Sequence, residues 1–139
     1  MPLTVQVVTP DREVVVCEDA NLVIAKGIEG DIGIMAGHAP VLIALNVGPL
    51  TIVREGGERS VMAVDGGFLQ MSNDAAIVLA EYVALPAEID IEATRAEIAD
   101  LERRLAGAEH ADADVTAAAE KAQLARAKAM EEVFQIEKM

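Results

Sequence analysis

Aromatic side chains and positive charges are both scarce in this chain of 139 residues. Aromatics make up 2% of the sequence, so few side chains could stack on nucleic-acid bases. The formal net charge of -13 would also repel a phosphate backbone. These two shortages argue against a nucleic-acid partner. Because 53% of the residues are hydrophobic, the chain can still build a core, chiefly from Val, Ile, Leu, Met and Ala.

Cysteine and histidine are scarce too, which limits the metal and catalytic sites that are available. The single cysteine, Cys17, excludes an internal disulfide and a multi-thiolate zinc site. Its position after a run of valines is typical of a buried, inert thiol. The two histidines, His38 and His110, lie in different halves of the chain, and no HxxxH, CxxC or GxSxG motif occurs. We therefore predict no metal site and no catalytic residue.

Signals for export and for membrane insertion are also missing. The opening MPLTVQVVTPDRE has neither the basic and apolar regions of a signal peptide nor the Arg- and Ser-rich character of a transit peptide. No apolar run reaches the roughly 18 residues that a membrane-spanning helix needs. We expect a cytoplasmic chain that meets a membrane only through a partner, without direct insertion.

Residues 1 to about 85 show the pattern of short β-strands, with β-branched runs separated by turn residues. The predicted strands are Leu3 to Thr9, Glu13 to Cys17, Leu22 to Ala25, Leu50 to Arg54, Ser60 to Val64, Phe68 to Met71, Ala75 to Ala80 and Tyr82 to Leu85. The polar run 18–21 separates the second strand from the third, and the acidic, glycine-containing run 55–58 predicts a hairpin. This spacing predicts a mainly β sandwich or flattened barrel of about ten antiparallel strands.

The pattern changes at Pro86, which divides the sequence into a first domain, 1–86, and a second domain, 87–139. Apolar residues and one threonine then recur at helical spacing, at Ile91, Thr94, Ile98, Leu101 and Leu105. Asp90 suits the N-cap of this helix and Gly107 its end.

A second helix is predicted to begin near Asp112 or Asp114. Its seam is built largely from alanine, at Val115, Ala118, Ala122, Ala125, Ala129, Val133 and Ile136. The short break between the helices predicts an antiparallel helical hairpin. Because burying a methyl group removes little apolar area, we predict a hairpin that is well formed but weakly docked. Such an element suits a change of packing partner, although a close-packed pair that never moves fits the same composition.

Residues 29–40, EGDIGIMAGHAP, combine glycines, acids, a histidine and a proline. Their glycine spacing does not match a dinucleotide-binding or Walker motif, and the apolar residues after Pro40 do not open the helix that a phosphate cradle needs. Asp31 and His38 could form an acid/base pair. The stretch also suits two turns around a short strand at 32–34, with polar side chains on the outside of the sheet, where binding functions usually lie.

The same stretch resembles the motif EG(D/E)(L/I)GI-x-x-GHAP of the epsilon subunit of bacterial F-type ATP synthases. The run VVTPDREV resembles the opening strand and turn of that family, GPL at 48–50 resembles its G-x-(L/V/I) step, and VDGGFL at 64–69 resembles its GGF strand. The order of a β-half followed by an alanine-rich helical pair is also the order of the family.

The resemblance implies a non-catalytic rotor subunit rather than an enzyme. In that family the sandwich binds the gamma subunit and lies against the polar loops of the c-ring, so it couples proton- or sodium-driven rotation to the catalytic head. The residues that would make this contact are Glu29, Gly30, Asp31, Ile32 and His38. Membership of such a complex would place the chain on the cytoplasmic face of the bacterial plasma membrane.

The resemblance also implies that the hairpin regulates the complex. Docked on the sandwich it permits ATP hydrolysis, and extended along gamma it inhibits. Lys121, Arg126 and Lys128 are then the expected contacts with the catalytic alpha and beta subunits, unless they are simply solvated. Some family members bind ATP as a regulatory ligand through an I/L-D-x-x-R-A motif. This chain matches the motif only in part, which leaves Glu92, Arg95 and Arg126 as the residues carried over, and no cofactor is expected.

Two other functions fit parts of the pattern. The sandwich could be an adaptor whose helices bind an unrelated coiled coil, which predicts association without any effect on ATPase activity. It could instead be a small β-barrel enzyme that uses Asp31 and His38, which predicts turnover or a bound metal.

Overall fold

A computed structural model of the protein describes residues 2–107 and 114–138. Nine strands come first, followed by a 3₁₀ turn at Pro86–Glu88 and two helices. The strands are β1 (Leu3–Val8), β2 (Glu13–Gly27), β3 (Gly30–Met35), β4 (Val41–Ala44), β5 (Gly48–Arg54), β6 (Arg59–Asp65), β7 (Phe68–Ser72), β8 (Ala75–Leu79) and β9 (Tyr82–Ala84). The helices are α1 (Ile91–Gly107) and α2 (Asp114–Lys138). We call the nine strands the β-domain and the two helices the helical hairpin.

Hydrogen bonds join the strands in the order β4-β7-β8-β1-β2-β5-β6-β9, with β3 attached to β2. Within the described residues every pairing is antiparallel except that of β1 with β8, which is parallel. The predicted mainly β sandwich followed by helices is confirmed, with nine strands in place of about ten. The sequence prediction included no strand at 41–44, where β4 pairs with β7.

The long strand β2 corrects the prediction of two strands separated by a polar turn. The chain stays extended for 15 residues, pairing first with β1 and then with β3 and β5. The ladders with β1 and with β5 both shift register near the buried Ala20, which lets the strand bend without ending. Glu18, Asp19 and Asn21 are exposed at this bend. Their polarity therefore reflects outward-facing positions on a continuous strand.

The core of the β-domain is filled by aliphatic and methionine side chains. Fully buried members are Leu3, Val5, Val7, Val23, Ile34, Leu50, Ile52, Met62, Leu69, Met71 and Val78. In β1 and β5 buried residues alternate with half-buried ones, as the two-residue period of a strand requires. Cys17 belongs to this core, and burial raises the pKa of its thiol, in agreement with the predicted inert role.

The two helices pack against each other, and α2 also lies against β5 and β6. Arg95 near the start of α1 forms an ion pair with Glu131 near the end of α2, so the helices run antiparallel, as predicted. The Asp90 carboxylate accepts a hydrogen bond of 3.1 Å from the Ala93 amide, which confirms the predicted N-cap. On the predicted face of α1, the side chains of Thr94, Ile98 and Leu101 are buried.

The alanine seam predicted on α2 is only partly buried. Ala129 and Val133 are buried, whereas Ala118 and Ala122 are exposed and Ile136 is 38% exposed. Asp112, His110 and the side chain of Val115 lie outside the described residues. Because α2 contacts both α1 and the sheet, its buried residues do not follow one stripe, and Ala127, outside the predicted seam, is buried as well.

Within residues 2–107 and 114–138, no helix is both long enough and apolar enough to cross a membrane.

Candidate functional site

The turn between β2 and β3 presents the first half of the predicted contact loop. Gly27 and Gly30 are register partners at the end of this ladder. A Cβ on Gly27 would lie 2.9 Å from the Gly30 carbonyl oxygen, and Gly30 has a φ of +132° that L side chains rarely adopt. The two glycines therefore allow a tight turn whose tip is Ile28 and Glu29. Both tip residues are exposed, Ile28 by 65%.

A groove of about 650 Å³ separates this turn from β4. One wall consists of residues 27–32 and the other of β4. The Ile28 amide donates a 3.0 Å hydrogen bond to the Ala44 carbonyl, which closes one end of the groove. Leu42 is 66% exposed on the β4 wall, while the carboxylates of Glu29 and Asp31 are exposed on the opposite wall. The groove thus combines apolar side chains with negative charge.

His38 does not share this groove with the acidic residues. From Val41 the chain returns along β4 to Leu45, which forms a bridge with Gly27, so residues 36–40 lie at the opposite end from the β2–β3 turn. There the Gly37 amide donates a 2.6 Å hydrogen bond to the Asp74 carboxylate, and the His38 Nδ1 lies 2.7 Å from the Ala39 carbonyl oxygen.

Asp31 and His38 are consequently separated by most of the length of β3. Asp31 is the second residue of that strand, and its four remaining residues span about 13 Å at the rise of an extended chain. The acid/base pair considered from the sequence is therefore wrong. Both predicted turns are present, because Gly37 also adopts a positive φ, of +86°.

On the helical hairpin, Arg126 contacts two residues of the β-domain. Its Nε donates a 2.6 Å hydrogen bond to Oδ2 of Asp65 at the end of β6. Its guanidinium carbon lies 4.2 Å from the centroid of the Tyr82 ring on β9, within the range of a cation–π contact. This arginine thus contacts the sheet, although 41% of its side chain remains exposed.

A second polar contact joins α2 to β2. Lys26 Nζ lies 3.9 Å from a carboxylate oxygen of Glu132. A Cβ on Gly48 would lie 2.6 Å from Cδ of Lys26, so the glycine makes room for the lysine stem to cross β5 toward the helix. Between the two contacts, Ala129 and Val133 pack on apolar residues of the sheet that include Val61 and Ala63.

The three residues carried over from the ATP motif do not converge. Arg95 Nε forms a 3.2 Å hydrogen bond with Glu131, and Arg126 binds Asp65 on a different element. Glu92 is exposed in the first turn of α1. The other two basic residues singled out on α2, Lys121 and Lys128, are exposed as well.

The β-domain matches a family model throughout its length. The model describes the β-sandwich domain of the ATP synthase delta/epsilon chain, and it matches residues 2–86. The chain belongs to the ATP synthase epsilon family. Homologues in this family are non-catalytic subunits of the synthase, so the enzyme and unrelated-adaptor interpretations are set aside.

Two bacterial relatives illustrate the sequence similarity within the epsilon family. The ATP synthase epsilon chain of Brevibacillus brevis is 44% identical over 103 residues, covering 74% of this chain and 77% of the relative. The epsilon chain of Anaeromyxobacter dehalogenans is 37% identical over 129 residues, which cover 93% of this chain and 95% of the relative. The second alignment therefore extends over the helices as well as the strands.

Solved structures show that the fold is similar to chains of two mitochondrial assemblies. One is a chain of the Euglena gracilis ATP synthase OSCP/F1/c-ring structure, with a TM-score of 0.80, 16% identity, and coverage of 94% of this chain and 80% of the other. The other is a chain of the Tetrahymena thermophila central stalk and c-ring, with a TM-score of 0.56, 18% identity, and coverage of 100% and 98%. At these identities the likeness concerns the fold alone.

The junction between the β-domain and α1 carries its own polar cluster. Nη2 of Arg12 lies 3.0 Å from both carboxylate oxygens of Glu88, and the same carboxylate accepts a 2.9 Å hydrogen bond from the Leu85 amide. The hydrogen bond from Arg12, followed by the one from Leu85, lowers the pKa of Glu88. The segment that leads into the helices is therefore attached to the β1–β2 turn.

Some residues of these surfaces escaped the sequence prediction. Leu42 belongs to a short apolar run and Ile28 is a single apolar residue in a turn, and only their exposure in the groove distinguishes them. Asp65 occurs in the quoted VDGGFL run but its partner on α2 is 61 residues away, so no local pattern could reveal the pair. The contact of Tyr82 with Arg126 is also between distant parts of the chain, so no local pattern could reveal it either.

Proposed function

We propose that this epsilon-family chain is a central-stalk rotor subunit that couples rotation of the c-ring to the catalytic head. The β-domain would bind the gamma subunit and the c-ring, and the helical hairpin would inhibit ATP hydrolysis when it extends toward the alpha and beta subunits. The complex would operate at the cytoplasmic face of a bacterial membrane. The observation that carries the proposal is the acidic and apolar groove at the β2–β3 turn of a chain in this family.

The groove suits contact with a polar loop that carries basic residues. Glu29 and Asp31 can each accept charge-assisted hydrogen bonds, and Ile28 and Leu42 supply apolar area that is exposed in the isolated chain. A charged contact that becomes desolvated in such an interface contributes about 1–2 kcal/mol. His38, at the other end of β3, would then contact a different part of the assembly from the one that Asp31 contacts.

The inhibitory role of the hairpin is supported by the nature of its contact with the β-domain. Ala129, Val133 and the half-buried Met130 and Phe134 provide the apolar part on α2, and partly exposed ion pairs add to it. Several of these contacts are individually weak, since the methyl group of Ala129 buries little area and an exposed ion pair contributes about 0–1 kcal/mol. A hairpin held in this way can be exchanged for another partner.

Truncation tests the inhibitory role. Removal of the residues after Leu85 should raise ATP hydrolysis by the assembled synthase, because no segment is left to enter the catalytic head. The measurement is the steady-state ATPase rate of the purified complex with full-length or truncated chain. A truncated complex that hydrolyses ATP no faster than the complete one would contradict inhibition, while leaving the rotor role open.

Charge reversal tests the groove. Asp31→Arg should weaken ring association and lower proton pumping per ATP hydrolysed, without unfolding the β-domain. Glu58→Arg is a matched control, because it makes the same charge change at the exposed β5–β6 turn, beyond the end of the ladder that pairs Ala20 with Arg54. Equal pumping yields for the two variants would contradict the assignment of the groove.

Regulatory binding of ATP by Glu92, Arg95 and Arg126 is a separate proposal. It requires the nucleotide to displace Glu131 from Arg95 and Asp65 from Arg126. Calorimetric titration of the full chain with ATP measures this directly. Absence of binding heat at millimolar ATP would exclude the site.

A further inference from the structure

One face of α2 carries the residues that contact the sheet. Arg126, Ala129 and Val133 follow one another at spacings of three and four, so they lie on the same side of the helix. Ala129 and Val133 are 5% and 0% exposed. Small aliphatic side chains pack closely but make no directional contacts, so they do not by themselves select one position of the helix along the sheet.

Arg126 supplies a directional contact that Ala129 and Val133 lack. Asp65 on β6 and Tyr82 on β9 are register partners across the β6–β9 ladder, so their side chains are held together by the sheet whether or not the helix is present. The guanidinium donates to the carboxylate at 2.6 Å and covers the ring at 4.2 Å. A planar cation can satisfy both partners only in a narrow range of positions and orientations.

The other ion pair between α2 and the β-domain is not an equivalent restraint. Lys26 and Glu132 are 3.9 Å apart, and their side chains are 41% and 47% exposed. Arg126 is exposed to the same extent as Lys26, so the difference lies in the carboxylates and the distances: Asp65 is 25% exposed, and the Arg126 contact is 2.6 Å long. Screening by solvent and loss of side-chain entropy weaken the lysine pair more than the arginine contact.

We propose that Asp65, Tyr82 and Arg126 form a latch that sets the docked position of α2, and that the hairpin leaves the β-domain only when Arg126 leaves both partners. The latch is a property of the free chain. A broken latch should let the hairpin extend more readily and inhibit ATP hydrolysis more strongly, a consequence that rests on the proposed function.

The chain contains its own reporter for this latch. Tyr82 is the one tyrosine of the sequence and there is no tryptophan, so intrinsic fluorescence of the full chain comes from the ring that Arg126 covers. Acrylamide quenching measures access to this ring, and hydrogen exchange of the α2 amides measures docking of the helix independently. The informative variant is Asp65→Asn, which retains the shape of the side chain and leaves Arg126 in place.

Asp65→Asn should raise the acrylamide quenching constant about twofold and speed exchange of the α2 amides about twofold to fivefold, the range expected for one partly exposed ion pair. Arg126→Gln should do the same, and Arg126→Lys should give an intermediate result because charge remains but the planar group is lost. Arg103→Gln is the matched control, since Arg103 pairs with Asp100 within α1. Val133→Glu, with a charge in the apolar contact, marks the undocked limit. Far-UV circular dichroism confirms that each variant folds.

Ionic strength provides a further test, because salt weakens an ion pair but not a purely apolar contact. Between about 0.05 and 1 M salt, the wild-type chain should shift toward the exchange rates of Asp65→Asn, while the variant itself should change little. Unchanged quenching and exchange in both Asp65→Asn and Arg126→Gln would overturn the latch. A latch confirmed in the free chain, together with an ATPase rate that does not respond to truncation after Leu85, would instead show that the proposed inhibition is wrong and the latch is right.

Discussion

The β-domain and the helical hairpin are stabilised by different kinds of contact. Large β-branched, leucine and methionine side chains fill the interior of the β-domain, and each fully buried one contributes about 1.5–3 kcal/mol. The hairpin meets that domain through a smaller set of apolar side chains on α2, Ala129, Met130, Val133 and Phe134, and through ion pairs that are partly exposed. A protein built in this way can keep one part rigid while the other changes its partner.

The first prediction concerns a backbone approach that only the β-domain contains. Gly67 has a φ of +98°, and a Cβ there would lie 1.9 Å from the Leu79 carbonyl oxygen. Gly67→Ala should lower the free energy of unfolding by more than about 4 kcal/mol, measured by urea denaturation with far-UV circular dichroism.

Gly57→Ala provides the control for this substitution. Gly57 has a φ of +90° but nothing lies within 4 Å of an added Cβ, so only backbone strain is expected, at about 1–2 kcal/mol. If Gly67→Ala and Gly57→Ala lower the free energy of unfolding equally, the close approach of the Leu79 carbonyl to Gly67 does not restrict the side chain at that position.

The second prediction addresses the apolar core. Ile52 is fully buried in β5, and Ile52→Ala should lower the free energy of unfolding by about 3 kcal/mol because it removes buried methyl groups and leaves a cavity. Ile28→Ala at the exposed β2–β3 turn should change the same quantity by no more than about 0.5 kcal/mol. Similar values for both would contradict the placement of the core.

The third prediction separates the two regions directly. Val133→Ala removes apolar area from the contact of α2 with the sheet, and should weaken docking by about 1.5 kcal/mol while the urea midpoint of the strands is retained. Hydrogen exchange reports docking, and circular dichroism at strand wavelengths reports unfolding. If Val133→Ala shifts the undocking of α2 and the unfolding of the strands by the same amount, the hairpin and the β-domain unfold as one unit. The proposed difference in stability between the two regions would then be wrong.

The smallest effect is expected at the junction between the regions. The pKa of Glu88 is lowered from its ordinary value of 4.5 by the hydrogen bond from Arg12 and then by that from Leu85. Because the folded state favours the carboxylate, its contribution to stability is complete above about pH 4.5 and is lost as the pH falls through the lowered pKa. Glu88→Gln should therefore lower the melting temperature slightly at pH 7 and have no such effect near pH 2. If the difference in melting temperature between wild type and Glu88→Gln instead grows at acidic pH, the Glu88 carboxylate does not stabilise the fold through these hydrogen bonds.

The comparison of sequence and structure is most informative where the prediction was wrong. β-branched runs and turn residues were sufficient for β5, β6 and their hairpin, because the two strands and the turn are encoded within some 20 residues. The polar run in β2 was misread as a turn because a bulged strand and a turn both expose polar side chains. The short β4 passed unnoticed, since four apolar residues carry no periodicity.

The candidate site also contains features that the sequence predicted and features that it did not. Gly30 in the β2–β3 turn and the acids beside it were predicted, since their conformational and charge properties are local, whereas the close approach of Gly27 to Gly30 was not. The separation of Asp31 from His38 was not, because it depends on the direction in which β4 returns across the sheet. The partners of Arg126 were missed for a similar reason, since β6, β9 and α2 meet only in the folded chain.

By itself, the sequence determined the class of the protein: a β-half with an aliphatic core, a helical pair whose first helix is capped by Asp90, and an acidic glycine turn at 29–31. These features depend on propensities and periods that act over a few residues. Only the tertiary structure decided which surfaces these elements present together. The groove between the β2–β3 turn and β4 and the contact of Arg126 with Asp65 and Tyr82 both depend on pairings between distant segments. Those pairings follow from burying the apolar faces of all the strands at once, which no local pattern specifies.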